Sequence, residues 1–200
     1  MKKSKYIILS PFYFDFNDDL TEIINVKKLF KNQTVLDLER FNDLKIIKID
    51  AFKKNQIKHL KLPKSIEIIG EWAFANNQIE SLDLSNCINL RTIMFCAFFI
   101  NQIKQLKLPN NIEEIECSAF ANIQIESLDL SNCKQLKYID GDAFSNNPLK
   151  KIKILYNIEI EYDNYYNKDI WNTFVKYYNN NGKISGDYKY ENNEWKWYPL

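Results

Sequence analysis

The octapeptide ESLDLSNC occupies residues 80–87 and returns, letter for letter, at residues 126–133. Between the two copies, KQLKLPN at residues 104–110 keeps the spacing of the leucines but carries lysines where the copies carry acids. All three stretches alternate apolar and polar residues and close on Ser-Asn-Cys or on proline, a pattern typical of a short β-strand that ends in a turn. The recurrence predicts one strand-and-turn unit that is used repeatedly.

A regular period joins these stretches into a longer array. Residues 55–100 and 101–146 align without a gap at about two thirds of their positions, and a period of about 20 to 50 residues indicates a solenoid. An Ala-Phe pair marks every coil and follows the previous pair by 22 or 24 residues. The phenylalanines of these pairs are Phe52, Phe74, Phe98, Phe120 and Phe144.

Each coil contains one predicted strand and one return segment. The motif Ile-x-x-Leu-x-Leu predicts about six short strands, and the apolar residues before each Ala-Phe pair predict a compact turn or short helix. A single coil cannot bury its own apolar face, so we expect the coils to stack about 4.8 Å apart, with the phenylalanines in an internal column. The predicted strands begin near Val35, Ile57, Ile79, Ile103, Ile125 and Leu149.

This combination of motifs resembles a known class of repeat. The strand motif, the Leu-Pro that leaves it, the Ile-x-x-x-Ala-Phe that follows and the Asn-Gln-Ile that opens the next coil are similar to the BspA-like class of leucine-rich-repeat proteins over residues 20–154. The resemblance implies an α/β solenoid with a parallel sheet on its concave face and short helices or turns on its convex face. It also implies that the concave face binds partners, and several bacterial members of the class resemble secreted adhesins.

Three regions are expected along the chain. Residues 1–31 form an N-terminal cap or degenerate coil in which Leu29-Phe30 replaces the Ala-Phe pair, residues 32–154 form the solenoid, and residues 155–200 form an aromatic C-terminal cap. Solenoids need such caps because an uncovered terminal coil exposes its core and its sheet edge.

The C-terminal region predicts a helix followed by a β-hairpin. Residues 170–178 have the apolar spacing of a helix that starts at a cap on Asn167 or Asp169. Alternating aromatic residues flank Asn192-Asn193 and predict a hairpin at that turn. The aromatic rings either seal the last coil or bind carbohydrate, and the candidates for sugar contact are Trp171, Trp195 and Trp197.

Charges on the predicted strands alternate in sign from coil to coil. The outward position between the two strand leucines reads acid, lysine, acid, lysine along the array, from Asp37 to Lys153. Opposite charges on neighbouring strands contribute roughly 0.2 to 1 kcal/mol per pair, so the alternation favours one order of coils. The alternative is direct contact with a partner. The candidate binding residues on this face are Lys58, His59, Lys61, Glu80, Ser81, Asp83, Lys104, Gln105, Lys107, Glu126, Ser127, Asp129 and Lys151.

The repeat is interrupted in the third full coil. Met94-Phe95-Cys96 stands where other coils have Gly-Glu-Trp, Glu-Cys-Ser or Asp-Gly-Asp, and Phe99-Ile100 replaces Ala-Asn. Because stacking does not require these changes, we expect an apolar flank that contacts a partner or a second copy. The alternative is that these side chains turn inward. The candidate flank residues are Trp72, Met94, Phe95, Phe99, Ile100 and Ile123.

Composition and spacing argue against several classes of function. With 27 basic and 26 acidic side chains, the chain offers no basic stripe to nucleic acid. The longest apolar run, Ile93–Ile100, is far shorter than the roughly 20 residues that span a bilayer. His59 is the only histidine and the four cysteines lack metal-ligand spacing, so no catalytic, metal or cofactor site is predicted.

The sequence therefore predicts a non-catalytic module for protein recognition. Carbohydrate binding through the aromatic C-terminal region and self-assembly through Phe95 and Phe99 are the alternatives. Unpaired cysteines, and an initial apolar run shorter than the roughly 7 to 15 residues of a signal-peptide core, favour a reducing compartment. The resemblance also allows the cell surface or secretion.

Overall fold

The computed structural model describes residues 14–26, 34–161 and 169–200, and within them the chain winds as a β-solenoid of stacked parallel strands. One helix, α1 (Ile170–Asn180), follows the array. The strands in chain order are β1 (Phe14–Phe16), β2 (Glu22–Val26), β3 (Val35–Asp37), β4 (Ile46–Ile47), β5 (His59–Lys61), β6 (Ile68–Ile69), β7 (Ser81–Asp83), β8 (Thr92–Ile93), β9 (Gln105–Lys107), β10 (Glu114–Ile115), β11 (Ser127–Asp129), β12 (Tyr138–Ile139), β13 (Lys151–Ile154), β14 (Glu159–Ile160), β15 (Gly186–Glu191) and β16 (Glu194–Tyr198).

The six longer strands of the coils form one surface, which we call the strand face. β3, β5, β7 and β9 make a parallel sheet, while β11 and β13 pair in parallel within a second sheet that β15 and β16 complete. Equivalent residues of successive coils lie opposite each other: Ser81 pairs with Gln105, and Asp83 pairs with Lys107. The predicted stacking of coils is confirmed.

The return segments form a third sheet, which we call the short-strand sheet. Its order is β1-β2-β4-β6-β8-β10-β12-β14, and every pair is parallel except β1 with β2. The sequence predicted a turn or short helix for these segments. The turns are present around each Ala-Phe pair, the two-residue strands were not predicted, and within the described residues no helix lies inside the coils.

Left-handed residues explain why no helix forms around the Ala-Phe pair. Trp72 and Asn76 flank one pair with φ of 57° and 56°, and Cys96 and Ile100 flank the next with φ of 54° and 53°. A right-handed helix needs negative φ throughout, so these positions interrupt it. Every second amide of the turn donates instead to the neighbouring coil, as Asn76 N does to Phe99 O at 2.8 Å, and the amides between them close turns within the coil, as Ala75 N does to Trp72 O at 3.0 Å.

A column of stacked phenylalanines forms the centre of the core. Neighbouring ring centroids lie 5.1 to 5.4 Å apart, and the ring planes are within 11° of parallel. Each ring is completely buried, which contributes roughly 1.5 to 3 kcal/mol per residue. The column consists of Phe52, Phe74, Phe98, Phe120 and Phe144.

A ladder of buried asparagines joins the coils beside this column. Asn101 Nδ2 donates to the carbonyls of Phe74 and Phe98, at 3.0 and 2.9 Å, and Asn101 Oδ1 accepts from Ile79 N at 3.0 Å. One side chain thereby satisfies backbone groups that the turn leaves without strand partners. Equivalent bonds are made by Asn77 and Asn147.

The C-terminal elements close the column. Asp169 caps α1 by accepting from Asn172 N at 2.8 Å, while the predicted alternative cap, Asn167, lies outside the described residues. The Trp171 ring packs 5.0 Å from Phe144 and continues the phenylalanine column. Trp171 Nε1 also donates to Gly141 O at 2.8 Å, so the indole polar group is satisfied in the core.

Hairpins stand at both ends of the described array. At the front, β1 and β2 form an antiparallel pair, and Leu29-Phe30 lies outside the described residues. At the back, β15 and β16 turn at Asn192 and Asn193, whose φ values of 53° and 65° suit a type I′ turn. In this hairpin Tyr188 pairs with Trp197, and Tyr190 pairs with Trp195.

Candidate functional site

On the strand face, alternating charges of neighbouring coils pair with each other. Lys107 Nζ lies 3.0 Å from Asp83 Oδ2, and Ser85 donates to Asp83 from its backbone N and its hydroxyl. The Ser85 hydroxyl, and after it Lys107, lower the pKa of Asp83. These carboxylates and lysines are therefore partly committed to holding the coils together. Further pairs, with N–O distances of 2.8 to 3.9 Å, are Lys61–Asp37, Lys58–Glu80, Lys150–Glu126 and Lys151–Asp187.

Between the two charged columns of the strand face lies a middle column of side chains, one from each of five strands, and these side chains are also in register. The column consists of His59, Ser81, Gln105, Ser127 and Lys151. His59 lies opposite Ser81, and Ser81 lies opposite Gln105. Ser127 lies opposite Lys151 in the second sheet. All five side chains are exposed, so the structure brings the sequence candidates of this column onto one surface.

A depression of about 530 Å³ lies on the strand face where β9 and β11 belong to different sheets. The coil that follows β9 carries Ile123 at the position of the ladder asparagines, so one step of the ladder is missing there. The side chain of Ile123 is completely buried, and its expected place on the apolar flank is wrong. An aliphatic residue at this inward position packs into the core. The depression is lined by Lys104, Gln105, Gln124, Glu126 and Pro148.

The other flank candidates gather around one aromatic cluster. The Trp72 ring makes edge contacts with Phe95 and Phe99, at centroid distances of 5.4 and 5.6 Å. Lys53 Nζ lies 4.3 Å from the Trp72 ring centroid, within cation–π distance. The three rings are half-buried, and Ile100 beside them is 44% exposed. We call Trp72, Met94, Phe95, Phe99 and Ile100 the apolar flank.

Ile100 has an unfavourable backbone conformation for its side chain. Its φ is 53°, and the equivalent residues Asn76, Asn122 and Asn146 have φ of 56° to 58°. Asparagine tolerates the left-handed region, whereas a β-branched residue is strained in it. The chain therefore places an exposed aliphatic side chain where the fold prefers a polar one.

The short-strand sheet carries a second alternating column of charges. Glu113 pairs with Lys137 at 2.8 Å and with Arg91 at 3.7 Å, and Lys45 pairs with Glu67 at 3.1 Å. These residues each stand seven positions before a phenylalanine of the column. The fixed spacing to the phenylalanines is the sequence signal of this column, which the strand motif does not contain.

The cysteines are positioned as core or partly buried residues. Cys87, Cys96 and Cys133 are buried, and burial raises the pKa of Cys87 to about 11 and the pKa values of Cys96 and Cys133 to about 12. Cys117 is half-buried, and burial also raises its pKa. Thiols with such values are protonated at neutral pH and poor nucleophiles. Among the described residues, no group of three His, Cys, Asp or Glu side chains is arranged to hold a metal ion.

Burial removes two of the three tryptophans proposed for sugar contact. Trp171 is 0% exposed and Trp195 is 5% exposed. Trp195 Nε1 donates to Thr173 Oγ1 at 3.1 Å, which orients the ring against α1. Of the three candidates, Trp197 alone, 40% exposed, presents its ring to solvent.

The arrangement of coils agrees with a family model. The model of the BspA type leucine rich repeat region matches the chain in six copies, over residues 21–150 and 88–194. The chain belongs to this family. The BspA-type repeat thus accounts for the strand motif, the Ala-Phe turn and the parallel stacking described above.

Other comparisons add no relative. A search of curated proteins and a search of solved structures returned no significant match. Within the parts of this BspA-type protein that the structure describes, no helix has the length and apolar character needed to cross a membrane.

Proposed function

We propose that this protein is a non-catalytic recognition module that holds a protein partner on its apolar flank. Leucine-rich-repeat solenoids are generally protein-interaction modules and typically non-enzymatic scaffolds, and the chain belongs to such a family. The strand face, with its middle column of uncharged and basic side chains, is a second contact surface of the same module.

One observation carries the choice of the apolar flank. Ile100 is 44% exposed and has a φ of 53°, although neither property helps the solenoid to fold. Three other coils place asparagine there. The isoleucine is strained at this φ, and what it adds is exposed apolar surface. The adjoining rings of Phe95 and Phe99 enlarge that surface. A binding role explains why these changes occur together.

The strand face is less suited to be the principal contact. Its lysines and carboxylates already pair across coils, as Lys107 does with Asp83 at 3.0 Å. A partner would have to separate such pairs before using their charges, and their opposite signs cancel within the roughly 8 Å screening length of physiological salt. This face therefore provides shape and hydrogen bonds more than an attractive field.

The test is a quantitative capture experiment with matched variants. Ile100→Asn combined with Phe99→Ser removes the exposed apolar groups of the flank. Ile88→Asn removes an aliphatic side chain that is 52% exposed elsewhere, at the turn after β7. A partner captured from cell lysate by the wild type and by Ile88→Asn, but lost with the flank variant, supports the proposal. Equal capture by all three proteins refutes it.

Self-assembly is distinguished by molar mass in solution. Light scattering across a concentration series should give a monomer for the wild type if the flank serves a different protein. If a wild-type dimer dissociates in the flank variant while that variant keeps its far-UV circular dichroism, then a second copy occupies the flank.

A further inference from the structure

A recess of about 600 Å³ lies on the short-strand sheet next to the apolar flank. Ile68, which is 40% exposed, Thr92 and Met94 line its apolar part. Glu67, Glu114 and Glu116 line its acidic part, and Asn89 and Arg91 complete the wall. The recess thus places aliphatic surface, three carboxylates and one guanidinium within one concave site.

Arg91 is the basic residue among those that line the recess, and its guanidinium is engaged with other residues. Arg91 Nη1 donates to the carbonyls of Ile88 and Asn111, at 3.0 and 3.4 Å, and Arg91 Nε lies 3.7 Å from Glu113. Of the three glutamates that line the recess, Glu67 is paired with Lys45. In contrast, no lysine, arginine or histidine of the described residues lies within ion-pair distance of Glu114 or Glu116.

Further carboxylates lie near Glu116 and add to the negative charge of the site. Burial, followed by the charges of Glu114, Glu71 and Asp140, raises the pKa of Glu116, whereas the bond from Phe95 N opposes that shift. Burial and the nearby Glu161 likewise raise the pKa of Asp140. Elsewhere on the solenoid acids alternate with bases, so this is a local excess of negative charge beside an apolar surface.

The recess and the apolar flank are physically continuous. Met94 lines the recess, and the next residue, Phe95, belongs to the aromatic cluster. Phe95 N donates to Glu116 Oε2 at 2.7 Å, so the carboxylate of the recess is fixed to the backbone of the flank. A single extended segment of a partner can contact both sites.

We propose that the recess receives a lysine or arginine side chain of the protein partner, whose neighbouring apolar residue packs against Phe99 and Ile100. This proposal rests on the proposed function and specifies the chemistry of the partner: a cationic segment with an apolar residue beside the cation. The aliphatic stem lies over Ile68 and Met94, and the cationic head donates hydrogen bonds to the carboxylates of Glu114 and Glu116.

The experiment uses three fluorescein-labelled synthetic peptides of equal length and the full chain. The first alternates lysine with leucine, the second replaces lysine by glutamate, and the third replaces leucine by serine. Fluorescence anisotropy measures binding to the wild type, to Glu114→Gln/Glu116→Gln, and to Asp43→Asn/Glu194→Gln. The last variant also removes two negative charges, from exposed residues that belong to neither proposed contact surface, so it controls for net charge.

We expect the lysine-leucine peptide to bind the wild type more tightly than either of the other two peptides. We expect the recess variant to weaken its binding about tenfold and the Asp43→Asn/Glu194→Gln variant less than about twofold, because local carboxylates contribute more than distant ones. Raising the salt from about 0.05 to 0.5 M should reduce the difference, since screening weakens the ion pairs.

Three outcomes would overturn the inference. Binding of the glutamate-leucine peptide as tightly as the lysine-leucine peptide excludes cation recognition, as does unchanged binding to the recess variant. Absence of lysine-leucine binding at millimolar concentration also excludes it.

If that peptide loses affinity for Phe99→Ser/Ile100→Asn but not for Glu114→Gln/Glu116→Gln, the apolar flank remains a binding surface and the cation site alone fails. Thermal melts followed by circular dichroism verify that every variant is folded.

Discussion

Lys107 and Asp83 face each other across β9 and β7, and their charged atoms lie 3.0 Å apart in full backbone register. The contact joins two coils separated by 24 residues in the chain. The same carboxylate accepts from Ser85 in the turn that ends β7. One aspartate therefore contributes to the turn of its own coil and to the order of its neighbours.

Exchange of these charges tests the pairing. Asp83→Lys and Lys107→Asp should each reduce the free energy of unfolding by about 0.5 to 1 kcal/mol, because like charges then face each other. The double exchange should recover part of the loss but not the bonds of Ser85 to the carboxylate. Urea denaturation of the four proteins measures the coupling. A double exchange that loses the sum of both single losses would contradict the pairing.

The asparagine ladder should be a larger source of stability. Asn101→Ala leaves Ile79 N and the carbonyls of Phe74 and Phe98 without this partner in the core, so we expect a loss of about 2 to 4 kcal/mol. Asn55 is only half-buried and donates to Lys53 O. Asn55→Ala should therefore cost less than about 1 kcal/mol. Equal losses in urea denaturation would show that the buried bonds are unimportant.

The strain at Ile100 predicts a stabilising substitution. Ile100→Asn should raise the free energy of unfolding by about 1 kcal/mol, because asparagine adopts φ near 53° more readily. The reverse change in the preceding coil, Asn76→Ile, should lower it by a similar amount. Both are measured by urea denaturation. Destabilisation by Ile100→Asn would mean that the isoleucine contributes packing that outweighs the strain.

The acidity of Glu116 predicts a specific pH dependence. Its folded-state pKa is raised above the ordinary value of 4.5, so the folded state binds the proton more tightly than the unfolded state. The free energy of unfolding therefore falls as the pH rises from about 4.5 through the raised pKa. Glu116→Gln lacks this fall and keeps an acceptor for Phe95 N, so its stability relative to wild type should increase over that window.

Glu113, three residues away, is the matched control. Its pKa is lowered, chiefly by the hydrogen bond from Lys137. Its carboxylate therefore contributes stability above its unfolded pKa that is lost as the pH falls, and Glu113→Gln should be less stable than wild type at neutral pH. Thermal melts between about pH 3 and 8 compare the two variants, because the contribution of Glu113 is lost below its unfolded pKa. Parallel profiles for both would contradict the assigned shifts.

The thiols should react in an order set by burial. Cys117 is half-buried and should react first with a disulfide reagent in the native protein. The other three are buried with raised pKa values and should react only when urea unfolds the chain. Counting released chromophore over time measures this. Rapid native reaction of Cys87 or Cys133 would contradict their placement in the core.

Much of the architecture was predictable from periodicity. The recurring Ala-Phe pair predicted the buried column from Phe52 to Phe144, and the strand motif predicted the register that pairs Asp83 with Lys107. Helix α1 and the hairpin at Asn192-Asn193 were predictable from local patterns. These features depend on spacing within a coil or between identical coils, which a linear sequence displays directly.

Periodicity alone did not predict the two-residue strands or the orientation of Ile123. The strands exist because the backbone of one coil meets the next, and left-handed residues such as Trp72 and Ser118 interrupt the helix that the apolar spacing allowed. The position equivalent to Ile123 in the preceding pair of coils holds a polar residue, Asn77, and polar residues are usually exposed. Asn77 is nevertheless buried, with its amide group hydrogen-bonded to backbone carbonyls.

Periodic letters were enough to establish that this chain stacks coils about a phenylalanine column, since chemically equal side chains at equal intervals can bury themselves in one way only. Which charges are neutralised depended on the assembled molecule. Glu113 meets Arg91 and Lys137, while Glu114 and Glu116 in the same coil meet apolar surface and other acids. Ionic environment is set by neighbours more than 20 residues away, and those distances exist only once the coils are stacked.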